Sequence, residues 1–276
     1  MKYIILIAFS ALIFASCDEQ KVEIPDYIPP DSDRVVLVEE FTGASCPNCP
    51  SGSAELRSLK QRFGSNIAIV GVHSSFLASP RENSKYDFRM IEADQLEQFL
   101  GPYLGKPSAA FNRIFFENED YRPVANVGAW AGLVASQLED FSLLNINAER
   151  SFNPENRNLN VSFTVEAREI LDGNFTFTAY LTESGIIDPQ LSQTGVIEEY
   201  EHNFVLRKIL SSVSGDPLAT QLAPGNPLTV SYNFTLPAED GWWVAENCSV
   251  IGFVTRQGLE AEDLEVIQAI EIAVVE

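Results

Sequence analysis

The chain has 276 residues, long for a single domain and suited to two, and its 45% hydrophobic and 11% aromatic content is far from a disordered composition. Its 39 acidic residues outnumber 18 basic ones, for a formal charge of −21. A surface so acidic repels phosphate backbones, which excludes nucleic acid as a partner.

Residues 1–17 predict a targeting segment. Lys2 supplies a positive start, Tyr3 to Phe14 an apolar run, and Ala15 and Ser16 are small residues before Cys17. The apolar run is well short of the roughly 20 residues that cross a bilayer, so it predicts a signal peptide and not a spanning helix. A cysteine directly after small residues resembles a bacterial lipobox. That resemblance implies diacylation of Cys17, which becomes the mature N-terminus, and a membrane held through lipid. Residues 18–33, DEQKVEIPDYIPPDSD, are acidic, proline-bearing and without apolar periodicity. They read as a tether, reaching roughly 20 Å as flexible coil and about 50 Å as polyproline II.

From Arg34 to residue 142 the pattern is α/β. RVVLVEEF carries four consecutive apolar residues, as a strand covered on both faces does. PSGSAELRSLKQRFG predicts a helix, with Leu56, Leu59 and Phe63 on one face and Gly64 at its end. NIAIVGV, residues 66–72, is a second two-sided strand. A helical insert follows in DFRMIEADQLEQFLG, then a strand in KPSAAFNRIFF and a closing helix in VANVGAWAGLVASQLEDF.

From residue 143 to 276 the period changes to two. Leu159, Val161, Phe163 and Val165 alternate with polar neighbours, as do Phe175, Phe177, Ala179 and Leu181, and later Leu228, Val230, Tyr232 and Phe234. Asp172-Gly173 predicts a tight hairpin turn between the first two runs. With LLNINA, FVLRKIL, CSVIGFVTR and EVIQAIEIAVV, about seven strands result, which predicts a β-sandwich of immunoglobulin-like size.

FTGASCPNCPSG, residues 41–52, places Cys46 and Cys49 where the first strand gives way to a helix. The pair reads as a redox couple, half a metal site, a local staple, or a relic on a retained scaffold. At a helix N-terminus, unpaired N–H groups and the dipole stabilise thiolate, which suits Cys46 to attack and Cys49, one turn on, to resolve. A zinc site needs further ligands at set spacing, and His73, His202 and Cys248 are scattered, so no metal is expected. A staple this short stabilises little. No cofactor is called for beyond the dithiol itself.

LVEEFTGASCPNC resembles the strand, loop and Cys-x-x-C of thioredoxin-like proteins. The resemblance implies a buried proton-managing acid at Glu40 and a cis-proline at Pro107 that packs on the dithiol, with Lys106 offering backbone to an extended substrate. Pro-Asn stands inside the pair where thioredoxins carry Gly-Pro, which leaves the direction of electron flow open. His73, ending the second strand, could stabilise the Cys46 thiolate or relay protons, although a satisfied histidine at a strand end is the favoured reading. His202 reads as structural, Arg113 as an ion-pair partner, and Cys248 as a small buried hydrophobe.

The lipobox, tether, Cys-x-x-C, PSAAFNR, HNFVLRK and a terminal VIQAIEIAVV together resemble the twenty-eight-kilodalton outer membrane lipoprotein family. That resemblance implies a lipid-anchored protein of the bacterial outer membrane, facing the periplasm or the cell surface. The fold class expected is α/β plus all-β: a thioredoxin-like domain followed by an immunoglobulin-like β-sandwich. Two functions fit. One is a membrane-anchored extracytoplasmic thiol–disulfide oxidoreductase acting on a protein thiol or disulfide. The other is a surface binding or adhesion lipoprotein whose Cys-x-x-C half is a non-catalytic scaffold.

Overall fold

The first strand, β1 (Val36–Phe41), is buried at all six positions, and so is β2 (Ile67–Val72). The apolar runs therefore mark strands covered on both faces. They pair in parallel from Val36↔Ile67 to Phe41↔Val72, and the connection between them is helix α1 (Cys49–Phe63), which buries Leu56, Leu59 and Phe63. This computed structural model describes residues 32–258 and 263–275. The leader, Cys17 and all of the tether except Ser32 and Asp33 lie outside the described residues.

Helix α2 (Ile91–Leu100) buries Ala93, Leu96 and Leu100. Strand β3 (Ser108–Phe111) then pairs antiparallel with β1. It is shorter than KPSAAFNRIFF suggests, because Asn112 and Arg113 take left-handed φ values of 45° and 56° and turn the chain away. The Asn112 side chain secures that turn by accepting a 2.9 Å hydrogen bond from the Leu37 amide. Helix α3 (Trp130–Gln137) closes this region, its buried indole donating to the Val124 carbonyl at 3.0 Å.

Ten strands follow among the described residues: β4 (Leu144–Asn153), β5 (Asn158–Ala167), β6 (Leu171–Glu183), β7 (Ile186–Ser192), β8 (Gly195–His202), β9 (Val205–Ile209), β10 (Asp216–Leu222), β11 (Leu228–Thr235), β12 (Cys248–Gln257) and β13 (Leu264–Ala273). Asp172-Gly173 is not the turn its sequence suggests. Both residues lie inside β6, and the chain reverses just before Leu171.

The expected pairing of an α/β thioredoxin-like domain with a separate immunoglobulin-like sandwich is overturned. Among the described residues 44% are in strands and 18% in helices, and the principal sheet is mixed and shared. Its order is β13–β12–β6–β9–β2–β1–β3, with β10 also on β6. The junction is narrow. Gly71 of β2 pairs with Val205 of β9, and the Gly71 amide donates to the Phe204 carbonyl at 2.7 Å. The outer edge of β2 is thus met at Gly71 by a strand of the later half.

The cores follow the sheet. One cluster joins Leu37 and Phe41, Val70 and Val72, Leu96 and Leu100 to Tyr180, Leu206, Ile251, Phe253 and Val266. A second lies between β4–β5–β11 and the sheet strands β6 and β12, around Phe163, Phe175 and Phe177. Gly252 of β12 makes this layer possible: a Cβ there would stand 2.6 Å from the Phe163 ring. Across the halves, Arg113 is fully buried and donates from Nε and Nη2 to the two Glu39 oxygens at 2.8 Å each. The Tyr180 hydroxyl accepts from Nη2 at 2.8 Å and donates to Glu39 Oε1 at 2.9 Å. Arg113 therefore belongs to an internal ion pair, away from the cysteines.

Candidate functional site

Cys46 and Cys49 form a disulfide. Cys49 is the first residue of α1, so Cys46 sits one turn ahead of the helix, in a loop closed by its own amide donating to Gly43 (3.0 Å). Neither half-cystine reaches solvent: Cys46 is 0% exposed and Cys49 1%. The Cys46 sulfur lies 3.5 Å from the Lys106 carbonyl oxygen, and the peptide bond that follows, Lys106–Pro107, is cis.

Glu40, on β1 and 3% exposed, has its Oε1 without any protein partner. Its carboxyl lies against the first turn of α1. A Cβ on Gly52 would stand 2.7 Å from Glu40 Oε1 and 2.9 Å from Pro107 Cβ, so only glycine leaves room for both. Gly52 and Cys49 are three residues apart on the helix and share a face. Burial pushes the Glu40 carboxyl up to about 8, against the opposing pull of the Arg57 and Lys106 charges. Lys106 is itself buried, its Nζ donating to the Ser74 carbonyl (3.0 Å), the Ser74 hydroxyl (2.7 Å) and the Phe76 carbonyl (2.6 Å). Burial brings it down to about 8, with Glu97 opposing.

The structure thus brings Cys46, Cys49, Glu40 and Pro107 together. His73 turns elsewhere. It is 4% exposed, its ring 5.0 Å from Phe88 and 6.1 Å from His202, so the two histidines of the chain share one aromatic pocket. Burial holds His73 well below the usual imidazole range, with the His202 and Lys106 charges adding to it, and burial brings His202 down to about 4. Cys248 is free and buried, and burial pushes its thiol up to about 12, far from a reactive thiolate. Among the described residues no group of three or more His, Cys, Asp or Glu is placed to hold a metal.

Sequence reasoning missed what covers the disulfide. Strand β7 runs over the cysteine loop, and the Leu191 amide donates to the Ala44 carbonyl at 2.8 Å. The buried Gln190 amide nitrogen donates to the carbonyls of Gly43 and Cys46, both at 3.1 Å, and Gln193 donates to Asn48 Oδ1 at 2.8 Å. A lone glutamine in a short stretch containing proline carries no signal that could have found it. A hollow of about 520 Å³ lies over Ser151, Asn160, Ser162, Ser231 and Asn233 on the outer face of β4–β5–β11, and none of the residues around the cysteines lines it. No helix among the described residues is long and apolar enough to cross a membrane.

A family model described as outer membrane protein Omp28 matches residues 94–275. The matched span begins after the cysteine pair and takes in Pro107 and Gln190. No curated protein matches the sequence. Among solved structures, the chain is similar to HBP35 of Porphyromonas gingivalis, at 20% identity and a TM-score of 0.66, over 88% of this chain and 76% of that one. It is also similar to protein AGR_C_4864 from Agrobacterium tumefaciens, at 16% identity and a TM-score of 0.51, over 89% and 97% of the two chains. At these identities the likeness concerns the fold.

Proposed function

The chain belongs to the Omp28 family of outer membrane proteins, and from that premise we propose that it is an outer membrane binding protein whose Cys46–Cys49 disulfide is a closed cross-link. The burial of both half-cystines under β7 carries this reading. Thiol–disulfide exchange requires a thiolate to reach a sulfur, and here Gln190, Leu191 and Lys106 occupy the approach. The outer face of β4–β5–β11 offers a contrasting surface, wide, solvent-facing and rich in Asn, Ser and Thr. Lipid attachment at Cys17 belongs to the same reading. Cys17→Ala is expected to move the protein from the detergent phase to the aqueous phase, and unchanged partitioning would remove the anchor.

Glu40 favours a second reading, a thiol–disulfide oxidoreductase working in an opened form. A buried carboxyl of raised pKa with a free oxygen, packed on α1 and Pro107, is suited to trade protons with a dithiol. In that reading Cys46 attacks a protein disulfide, Cys49 resolves the mixed disulfide and Pro107 presents backbone to the substrate. Turnover of a model protein disulfide by wild type and Cys46→Ser, with a dithiol as electron source, decides between the two. Equal and negligible rates are expected. A wild-type rate well above that of the variant would hand the site to the oxidoreductase.

A further inference from the structure

The cover over the disulfide is built differently from the rest of the fold. Strands β7 and β8 pair only with each other, whereas β6 and β12 share ten register pairs within the main sheet. Along β8, Gly195 to Glu199 are all exposed. The base of this hairpin is packed, with Ile186 against Phe88 and Val205, and with the Asp188 carboxylate accepting from the Lys85 amide at 2.7 Å. Its outer half is separated from that base by an irregularity in the pairing between Asp188 and Gln190, at Pro189. Beyond that point the hairpin meets the cysteine loop through the Gln190, Leu191 and Gln193 hydrogen bonds, and Glu198 accepts an exposed hydrogen bond from Asn83 in the segment between β2 and α2.

Two features mark Gln190 as the latch. Its side chain is the one polar group of the hairpin that bonds the backbone on both sides of the Ala44–Ser45 turn. It is also buried, at 3% exposure, so those bonds are shielded from water. The segment it holds has few apolar contacts and an exposed edge, the properties of regions that open locally at much lower cost than the whole fold.

We propose that the outer half of the hairpin, residues 190–197, is a lid latched by Gln190, and that thiols reach the Cys46–Cys49 disulfide by local lifting of this lid while the sheet stays folded. This concerns access to the sulfurs, and it holds whether or not the pair turns over a substrate. With the lid raised, one thiolate of an external dithiol attacks a sulfur of the pair. The S–S bond breaks, and the other cysteine leaves as a thiolate and takes up a proton. The second thiol of the reagent, once deprotonated, then displaces the first cysteine from the mixed disulfide, and that cysteine too leaves as a thiolate and takes up a proton. Two electrons and two protons have passed to the protein, and the reagent leaves as a cyclic disulfide.

The test is reduction of the full chain by dithiothreitol under native conditions, with alkylation of Cys46 and Cys49 followed by peptide mass. In the wild type the rate is expected to level off as dithiothreitol is raised, because lifting limits it, and the plateau should exceed the global unfolding rate measured in urea. Gln190→Ala should raise the plateau about tenfold or more, as loss of two shielded hydrogen bonds implies. Native-state hydrogen exchange of the wild type supplies a readout that needs no variant. The Leu191 amide should exchange far faster than the amides of β12. Reduction no faster than global unfolding, an unchanged rate in Gln190→Ala, or Leu191 protected as fully as β12 would each overturn the lid.

Discussion

Arg113→Ala is expected to lower the unfolding free energy by about 3–5 kcal/mol, the cost of removing one partner from a buried ion pair. The guanidinium makes three hydrogen bonds of 2.8 Å to Glu39 and Tyr180, and lies 4.8 Å from the Phe253 ring centre. Alanine would leave the Glu39 carboxylate, 0% exposed, with the Tyr180 hydroxyl as its remaining side-chain donor in this cluster. Glu39 is on β1, Arg113 just past β3, and Tyr180 on β6, so the break falls where the early and late strands share a core. The pair's net contribution is a separate quantity. Replacing both partners by apolar residues, Glu39→Leu with Arg113→Met, should restore most of the loss, because no uncompensated charge then remains. Urea denaturation of the two variants decides it. A single variant within about 1 kcal/mol of wild type would show that water reaches this site freely.

The second large effect depends on pH. In the unfolded chain Glu40 titrates near its ordinary value of 4.5, and in the fold burial pushes it up to about 8. Between those values the folded protein keeps a proton that the unfolded chain has released. Stability therefore falls as pH rises, by up to about 1.4 kcal/mol per unit. The contribution is whole below pH about 4.5 and lost as pH climbs through about 8, a total on the order of 5 kcal/mol. Glu40→Gln keeps the shape and cannot ionise. The variant should match wild type near pH 4.5 and exceed it by roughly 3–5 kcal/mol at pH 8.5. Parallel stability curves for the two proteins across that range would mean that Glu40 is ionised throughout.

Local elements were legible where one rule governs one segment. The spacing of Leu56, Leu59 and Phe63 marks α1 to within a residue, and the unbroken apolar runs mark β1 and β2. Period-two alternation marks β5 and β11 because each presents one face to a core. It marks β6 as well, although β6 is buried on both faces from Phe175 to Glu183, its alternate threonines and Tyr180 being covered by the rest of the fold. Strands β7 and β10 escape that rule. Each has an internal proline, Pro189 and Pro217, which normally argues against a strand, and each has a shifted register. Strand β8 escapes because its run of exposed glutamates has no apolar face. The fold class failed for a different reason. A single register pair, Gly71↔Val205, joins the two halves, and pairing between distant strands leaves no periodicity in either. At the site, Cys46 and Cys49 stood out as a motif, and the places of Glu40 and Pro107 followed from its resemblance to thioredoxin-like proteins. Gln190 was not legible, because it bonds backbone carbonyls 147 and 144 positions away, and such carbonyls are the same whatever the sequence.

The place of β1 in the sheet has a mechanical meaning. Any tension that reaches the described fold from its N-terminal end arrives first at β1, which lies inside the sheet between β2 and β3. The six register pairs with β2 and the four with β3 stand across the line of pull, so they resist together in shear. An edge strand would instead unzip one bond at a time. A protein held from that end under flow or drag would be gripped at one of its most firmly seated strands.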